Sequence, residues 1–184
     1  MTDLERVASQ PGWHEAIGPY SEAFQKAILF TLAHEIEWGH DGRVLTEHDP
    51  RDKGGTTRFG LDQASHPLVE IESLTLHAAV QLYHQGEWQA AHGEELPEKL
   101  AIAHFDGTVN QGTHTSAQQL QIGLGVVADG SVGPKTLEAA RNAPETALEA
   151  LLNARAQHYR LLRQFPIYGR GWLARVEDLR RYLA

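Results

Sequence analysis

The segment that most constrains the fold of this chain is a break in an otherwise helical pattern. The run "HEIEWGHDGRVLTEHDPRDKGGTTRFG", residues 34–60, crowds acidic, histidine and glycine residues into a stretch with few aliphatic side chains. Residues 38–62 contain five glycines and two short strand-like pieces, "RVLTE" and "TTRFGL". Such pieces around Asp-Pro and Gly-Gly turns predict a small, irregular β-hairpin.

The rest of the chain has the apolar periodicity of helices. Residues 1–20 are predicted to be irregular, because Pro11-Gly12 and Gly18-Pro19 break the pattern. A first main helix is predicted from Ser21, as its N-cap, to about Glu35. Later helices are predicted in these segments: "LTLHAAVQLYHQGEW" with Thr75 as its cap, "LPEKLAIAHFDGTVNQG", "TSAQQLQIGLGV", a helix beginning at Pro134, "PETALEALLNARAQHYRLLRQF" and "GWLARVEDLRRYL". The pattern predicts a mainly α fold with one small β-hairpin after the first main helix.

Length and composition limit the classes of protein and of partner. A chain of 184 residues is enough for one domain, and the absence of cysteine excludes disulfides and thiolate chemistry. A net charge of −8 argues against a nucleic-acid partner. No stretch approaches the ~18 apolar residues of a membrane span, and the N-terminus has no signal-peptide pattern. We therefore expect synthesis in the cytoplasm, no membrane insertion and a monomer.

The histidines of the break raise the question of a metal site. The candidates are His34, His40, His48, Asp49 and Asp52. However, "HEIEW" lacks the second histidine of an H-E-x-x-H motif, because Trp38 occupies that position. "DPRDKGGTTRFG" also lacks the alternating ligands and the terminal glutamate of an EF-hand loop. We expect neither a metal nor another cofactor.

The motifs, taken in order, resemble glycoside hydrolase family 108. "AHE" followed by "DPRDKGGTTRFGL" is similar to that family's "HEGG…DPxDxGGxTxxGI" signature. "FDGTVNQG", "LQIGLGVVADGSVGPKTLEAA" and "GWLARV" resemble its C-terminal region, often described as a predicted peptidoglycan-binding domain. The resemblance covers residues 23–176. It implies a lysozyme-like α+β domain over residues 1–184, with an N-terminal extension (1–20), a catalytic helix and hairpin region (21–95) and a helical lobe (96–184).

The resemblance also implies an activity. Family members are phage and bacterial N-acetylmuramidases, which cleave the β-1,4 bond between N-acetylmuramic acid and N-acetylglucosamine. Bacterial peptidoglycan is then the partner, and host cell lysis by an endolysin, after holin-type release to the periplasmic wall, is the expected role. Two alternatives stay open: a non-catalytic peptidoglycan-binding or phage structural protein on the same scaffold, and a chitinase-like or chitosanase-like glycosidase.

Two glutamates are candidates for the catalytic acid. The family's "EGG" is replaced here by "EIEWG", so Glu35 fits by the preceding histidine and Glu37 by the following "WG". We favour Glu35, because it follows the apolar run "ILFTLA" at the end of a helix. An apolar setting and a helix C-terminus both raise the pKa of a carboxyl group, as a proton donor requires.

The second half of the reaction needs an ionised carboxylate and an oriented water. The resemblance to phage-type lysozymes points to Asp52 and Thr57, with Asp49 and Thr56 as alternates. If water attacks directly, the anomeric configuration inverts and the two carboxyl groups lie roughly 6.5–9.5 Å apart, whereas retention requires about 5–5.5 Å. We favour inversion.

Other residues are candidates for contacts with the sugar chain. Gly55 permits a tight turn close to the glycan. Asn110 and Gln111 are candidates for hydrogen bonds to an N-acetyl group or to the catalytic glutamate. Four aromatic residues are candidates for stacking on sugar rings: Trp38, Phe59, Tyr83 and Trp88.

Overall fold

The computed structural model describes residues 1–48 and 55–184. Within them the chain is mainly α-helical and carries one small antiparallel sheet. The helices are α1 (Asp3–Ala8), α2 (Trp13–Ile17), α3 (Glu22–Glu35), α4 (Leu76–Tyr83), α5 (Glu98–Gln111), α6 (Thr113–Leu124), α7 (Pro134–Arg141), α8 (Ala147–Leu161) and α9 (Phe165–Tyr182). The strands are β1 (Thr46–His48), β2 (Thr56–Arg58) and β3 (Leu61–Asp62). The predictions for Asp49 and Asp52 fall outside the described residues.

The prediction that residues 1–20 are irregular is wrong. Thr2 and Glu5 form a capping box, in which each side chain bonds the other residue's backbone N–H, and this starts α1. Val7 and Trp13 are buried, so two short helices find a hydrophobic surface to pack on. Pro11-Gly12 and Gly18-Pro19 therefore separate helices from one another and do not prevent helices from forming between them.

Local caps place most other helices where the sequence predicts them. The Ser21 hydroxyl accepts a hydrogen bond from the Phe24 N–H at 3.3 Å, and the Thr75 hydroxyl accepts one from Ala78 at 3.2 Å. Pro134 is the first residue of α7, as expected. The predicted helix after Thr75 ends earlier, at Tyr83, where it passes into a π-helical turn, His84–Trp88.

The sheet follows α3 in the order β1-β2-β3, with both pairings antiparallel. Glu47 pairs with Thr57, which pairs on its other side with Asp62, so these three side chains form one row on one face. On the opposite face the Arg58 guanidinium donates to the Thr46 hydroxyl at 2.6 Å. The predicted hairpin is therefore a three-stranded sheet with β2 at its centre.

The described chain divides into two compact units. The first comprises Met1–Tyr20 and Ile28–His84, and the second comprises Ser21–Ala27 and Gln85–Ala184. This division differs from the predicted boundary at residues 95–96, and the prediction of one domain stays a prediction. Among the described residues, no helix is both long and apolar enough to cross a membrane.

The second unit is a helical bundle around α5. Helix α6 packs on α5 and α8, and α8 packs on α9. Phe24, Trp88 and Phe105 form an aromatic cluster with ring centroids 5.3 to 6.0 Å apart. All three rings are buried, so the stacking role predicted for Trp88 does not fit, and its indole N–H donates to Glu94 at 2.8 Å.

Three buried charged side chains, Asp106 of α5, Arg155 of α8 and Arg175 of α9, form a cluster within this bundle. The carboxylate of Asp106 accepts hydrogen bonds from Arg175 at 2.6 to 3.2 Å. The Arg155 guanidinium lies 2.7 Å from the same carboxylate, close enough for an ion pair although the angle is not that of a hydrogen bond. Burial acts to raise the pKa of Asp106, but the two arginines outweigh it and hold that pKa far below its usual value.

Candidate active site

Glu35 is the last residue of α3, and its side chain is half-buried. The next residue, Ile36, is 6% exposed, so the chain turns into the core directly after the helix. His34 lies one residue earlier, with its Nδ1 3.0 Å from the Phe30 carbonyl oxygen. The backbone is therefore held on both sides of Glu35, by helix α3 before it and by the buried Ile36 after it.

The turn between β2 and β3 lies against Glu35. Phe59 and Gly60 have φ values of 54° and 78°, the two consecutive left-handed residues of a type I′ hairpin turn. A Cβ atom added to Gly60 would lie 2.6 Å from Glu35 Cβ and 3.1 Å from Glu35 Cγ. The close approach and the positive φ both require glycine at this position.

Glu37, the alternative acid, has different surroundings. Its side chain is exposed, while its backbone carbonyl accepts a hydrogen bond from the Leu45 N–H at 2.9 Å. Trp38 and Val44 form an isolated bridge beside that bond. The structure thus distinguishes the two glutamates by burial and by contact with the hairpin turn. The assignment of the acid stays a prediction.

Thr57 lies at the middle of the central strand and is half-buried. Its neighbours across the strands are the carboxylate residues Glu47 and Asp62. Asp52 and Asp49, its predicted partners in catalysis, lie outside the described residues, so the expected separation of the catalytic carboxyl groups stays a prediction.

Asp62 is an acidic residue of this face that the sequence analysis did not single out. Its Oδ1 accepts a hydrogen bond from the Ser65 N–H at 2.9 Å. Burial acts to raise the pKa of Asp62, but hydrogen bonds from Ser65 and Ala64 outweigh it, so the pKa lies below its usual value. Asp62 therefore stays ionised beside Thr57. A two-residue turn at Phe59-Gly60, read from the sequence, would have indicated this pairing.

The aromatic residues near the turn are mostly core residues. Phe59 and Tyr83 are 5% and 1% exposed, so the stacking role predicted for them does not fit the structure. The Tyr83 hydroxyl donates to the Phe59 carbonyl oxygen at 3.0 Å. The Trp38 ring is half-buried, with the Arg6 guanidinium 5.1 Å from its centre. Its indole nitrogen is buried and has no hydrogen-bond partner within residues 1–48 and 55–184.

The remaining predicted residues lie in the hairpin and in the second unit. Gly55 has a φ of 74°, as a tight turn requires. Asn110 belongs to α5 in the second unit, where its side-chain oxygen accepts a hydrogen bond from the Tyr159 hydroxyl. Gln111 exchanges two amide hydrogen bonds with Gln119, at 2.9 and 3.3 Å. Within the described part of the chain, no three His, Asp or Glu side chains lie close enough to hold a metal ion.

Comparison with known proteins adds a family. Residues 34–112 match the model of the family described as Glycosyl hydrolase 108. The matched segment is similar to glycosyl hydrolase family 108. It contains Glu35 and the strands β1 to β3, so the candidate site lies in the part of the chain that carries the family's sequence pattern. The match ends at Gly112, so the resemblance of the later motifs to the family's C-terminal region stays a prediction.

A solved structure extends the similarity of fold. The structure titled "Structure of Brucella abortus SagA" matches with a TM-score of 0.72 and 27% sequence identity, over 87% of this chain and 92% of that one. The predicted mainly α, lysozyme-like fold is confirmed. A search of the curated proteins finds no match. The match to this family supports glycosidase activity for this protein.

Proposed function

We propose that this protein is a peptidoglycan hydrolase of the N-acetylmuramidase type. Its substrate is the β-1,4 bond between N-acetylmuramic acid and N-acetylglucosamine. The observation that carries the proposal is the position of Glu35, half-buried at the end of α3 and in contact with the turn of the family's hairpin. The family match over residues 34–112, a segment that contains Glu35 and the three strands, supports a glycosidase.

Glu35 acts as the general acid in this mechanism. Cleavage requires a proton for the leaving oxygen and stabilisation of an oxocarbenium-like transition state. A carboxyl group serves as the donor when its surroundings restrict water and fix its direction. The half-buried Glu35 side chain meets that need better than the exposed Glu37.

Asp52 and Thr57 complete the reaction on the opposite side of the sugar. Asp52 acts as the ionised base and Thr57 orients the attacking water, which gives inversion. The row of Glu47, Thr57 and Asp62 supports this role for Thr57, because its hydroxyl lies on a strand face that carries acidic residues on both sides. Negative charge near that face stabilises a cationic transition state.

The test is mass spectrometry of purified peptidoglycan after digestion. We expect fragments ending in reducing muramic acid from the wild-type protein. Glu35→Gln keeps the size of the side chain and removes its proton, so activity should fall about 10²- to 10⁴-fold. Glu37→Gln is the matched control and should retain activity. Full activity of Glu35→Gln together with an inactive Glu37→Gln would transfer the acid role to Glu37.

Other results would favour the alternatives. Binding to peptidoglycan without new reducing ends would favour the non-catalytic protein on this scaffold. Cleavage of chitin or chitosan in place of peptidoglycan would favour the related glycosidases.

For the muramidase, we propose a role as an endolysin in host cell lysis, with release from the cytoplasm by a holin-type pore. Co-expression with and without a holin tests it, with lysis expected only in its presence.

A further inference from the structure

The Tyr83 hydroxyl is a buried polar group that forms a hydrogen bond outside its own helix, α4. Tyr83 is the last residue of α4, and its side chain is 1% exposed. Its hydroxyl donates to the Phe59 carbonyl oxygen at 3.0 Å, within the type I′ turn. The bond joins residues 24 apart in sequence and fastens the turn to α4.

The turn needs such a fastening because its first residue is strained. Phe59 has a φ of 54°, a left-handed conformation that is strained for a residue other than glycine. The Phe59 ring is buried, and the Arg58 guanidinium lies 5.1 Å from its centre. Arg58 donates in turn to the Leu74 carbonyl oxygen at 2.9 Å. Strain of this kind persists where the surroundings over-determine it, and it is concentrated at functional sites.

Gly60 transmits the position of the turn to Glu35. A Cβ atom added to Gly60 would lie 2.7 Å from the Tyr83 hydroxyl oxygen and 2.6 Å from Glu35 Cβ. The Tyr83 hydroxyl and the Glu35 side chain are therefore both packed against Gly60. A shift of the turn away from Tyr83 would remove the surface on which the Glu35 side chain rests.

We propose that Tyr83 is a positioning residue for Glu35, acting through the Phe59-Gly60 turn. The inference rests on the proposed function, in which Glu35 is the proton donor. A misplacement of about 1 Å at a reacting group costs up to about 10²-fold in rate, so a rigid surface behind the acid has a direct effect on kcat. Tyr83 supports the acid from inside the core, in place of the sugar contact predicted from the sequence.

The test compares two Tyr→Phe variants that lose the same kind of bond. Tyr83→Phe removes the hydroxyl and keeps the ring. Tyr182→Phe is the matched control, because its hydroxyl also donates to a backbone carbonyl, that of Lys26, at 3.0 Å. We expect kcat on soluble peptidoglycan fragments to fall about tenfold in Tyr83→Phe, with KM within about twofold of wild type. Tyr182→Phe should keep the wild-type kcat.

A second pair of variants tests the same contact from the turn. Gly60→Ala places a methyl group against Glu35 and Tyr83. Gly42→Ala is its control, because Gly42 has the same φ of 78°, and the added carbon meets no atom of the described residues within 4 Å. We expect kcat to fall further in Gly60→Ala than in Tyr83→Phe, and to stay near the wild-type value in Gly42→Ala.

The outcomes separate this inference from the proposed function. An inactive wild-type protein would reject the function, and a fully active Glu35→Gln variant would reject Glu35 as the proton donor and the positioning role with it. An active wild type with Tyr83→Phe and Gly60→Ala matching their controls in kcat would reject the positioning role alone. If Tyr83→Phe does not fold, the Gly60→Ala and Gly42→Ala pair decides.

Discussion

We predict that this protein loses stability in acid because the buried side chain of His104 disfavours protonation. The side chain is fully buried in α5, and its Nδ1 lies 2.7 Å from the Ser116 hydroxyl oxygen. That hydroxyl donates to the His104 carbonyl oxygen at 2.8 Å, so we infer that Nδ1 carries the ring proton and Nε2 does not. Nε2 is buried and has no hydrogen-bond partner among the residues that the structure describes. A second proton would thus occupy a dry site with no acceptor.

The magnitude follows from the two pKa values of this ring. Burial, and to a lesser degree the charge of His92, lowers the pKa of His104 from 6.5 to about 4. Between these values the unfolded chain binds a proton that the folded chain does not, so the free energy of unfolding falls as the pH falls. A difference of about 2.5 in pKa, at about 1.4 kcal/mol for each unit, corresponds to about 3–4 kcal/mol. Stability is lost mainly between pH 6.5 and 4.

Urea unfolding at a series of pH values from 7 to 4 measures this loss. The His104→Gln variant should show a flatter dependence than wild type by about 3 kcal/mol over the range. His77→Gln is the control, because His77 is exposed, and its curve should run parallel to wild type. Parallel curves for wild type and His104→Gln would refute the reasoning. If that variant does not fold, NMR titration of the wild-type ring decides, and protonation near pH 6.5 would refute it.

Two further substitutions test the second unit. Asp106→Asn leaves two buried guanidinium groups without a counter-charge and should lower the free energy of unfolding by about 3–5 kcal/mol. Its control is the ion-pair residue Asp178, whose side chain is 41% exposed and whose change to Asn should cost less than about 1 kcal/mol in the same urea experiment. Gly130→Ala should lower the melting temperature, because Gly130 has a φ of 77° and the added carbon would lie 2.2 Å from the His114 ring. Gly133→Ala should not lower it, because the added carbon meets no atom within 4 Å in the part of the chain that the structure describes. Equal melting temperatures for the two variants would contradict the steric argument.

Several features of the fold could be predicted because they depend on neighbours in sequence. The caps at Ser21 and Thr75 and the proline at the start of α7 are each recognised within four residues. The glycine-rich break correctly marks the sheet, because left-handed turns favour glycine wherever they lie in the fold. The failure at residues 1–20 has a local cause too: the capping box of Thr2 and Glu5 outweighs the breakers that follow it.

The candidate site was predicted in part, and the division has a physical reason. Motif order and spacing led to Glu35, Thr57 and the hairpin without any knowledge of contacts. Spacing alone did not distinguish Glu35 from Glu37, since the difference between them is burial and contact with Gly60. The stacking roles predicted for Phe59, Tyr83 and Trp88 do not fit their burial for the same reason, because a ring in the core and a ring on a sugar have the same sequence signature.

By itself, the sequence determined most of the helix positions after residue 20, the single β-rich insertion and the residue types that a glycosidase needs, because each depends on short stretches of chain. Only the tertiary structure decided that Tyr83 lies inside the core and bonds the Phe59 carbonyl, and that Gly60 lies against Glu35. These contacts join residues some 24 or 25 positions apart, and they form when burial of apolar surface brings distant segments together. No short stretch of sequence predicts these contacts by itself.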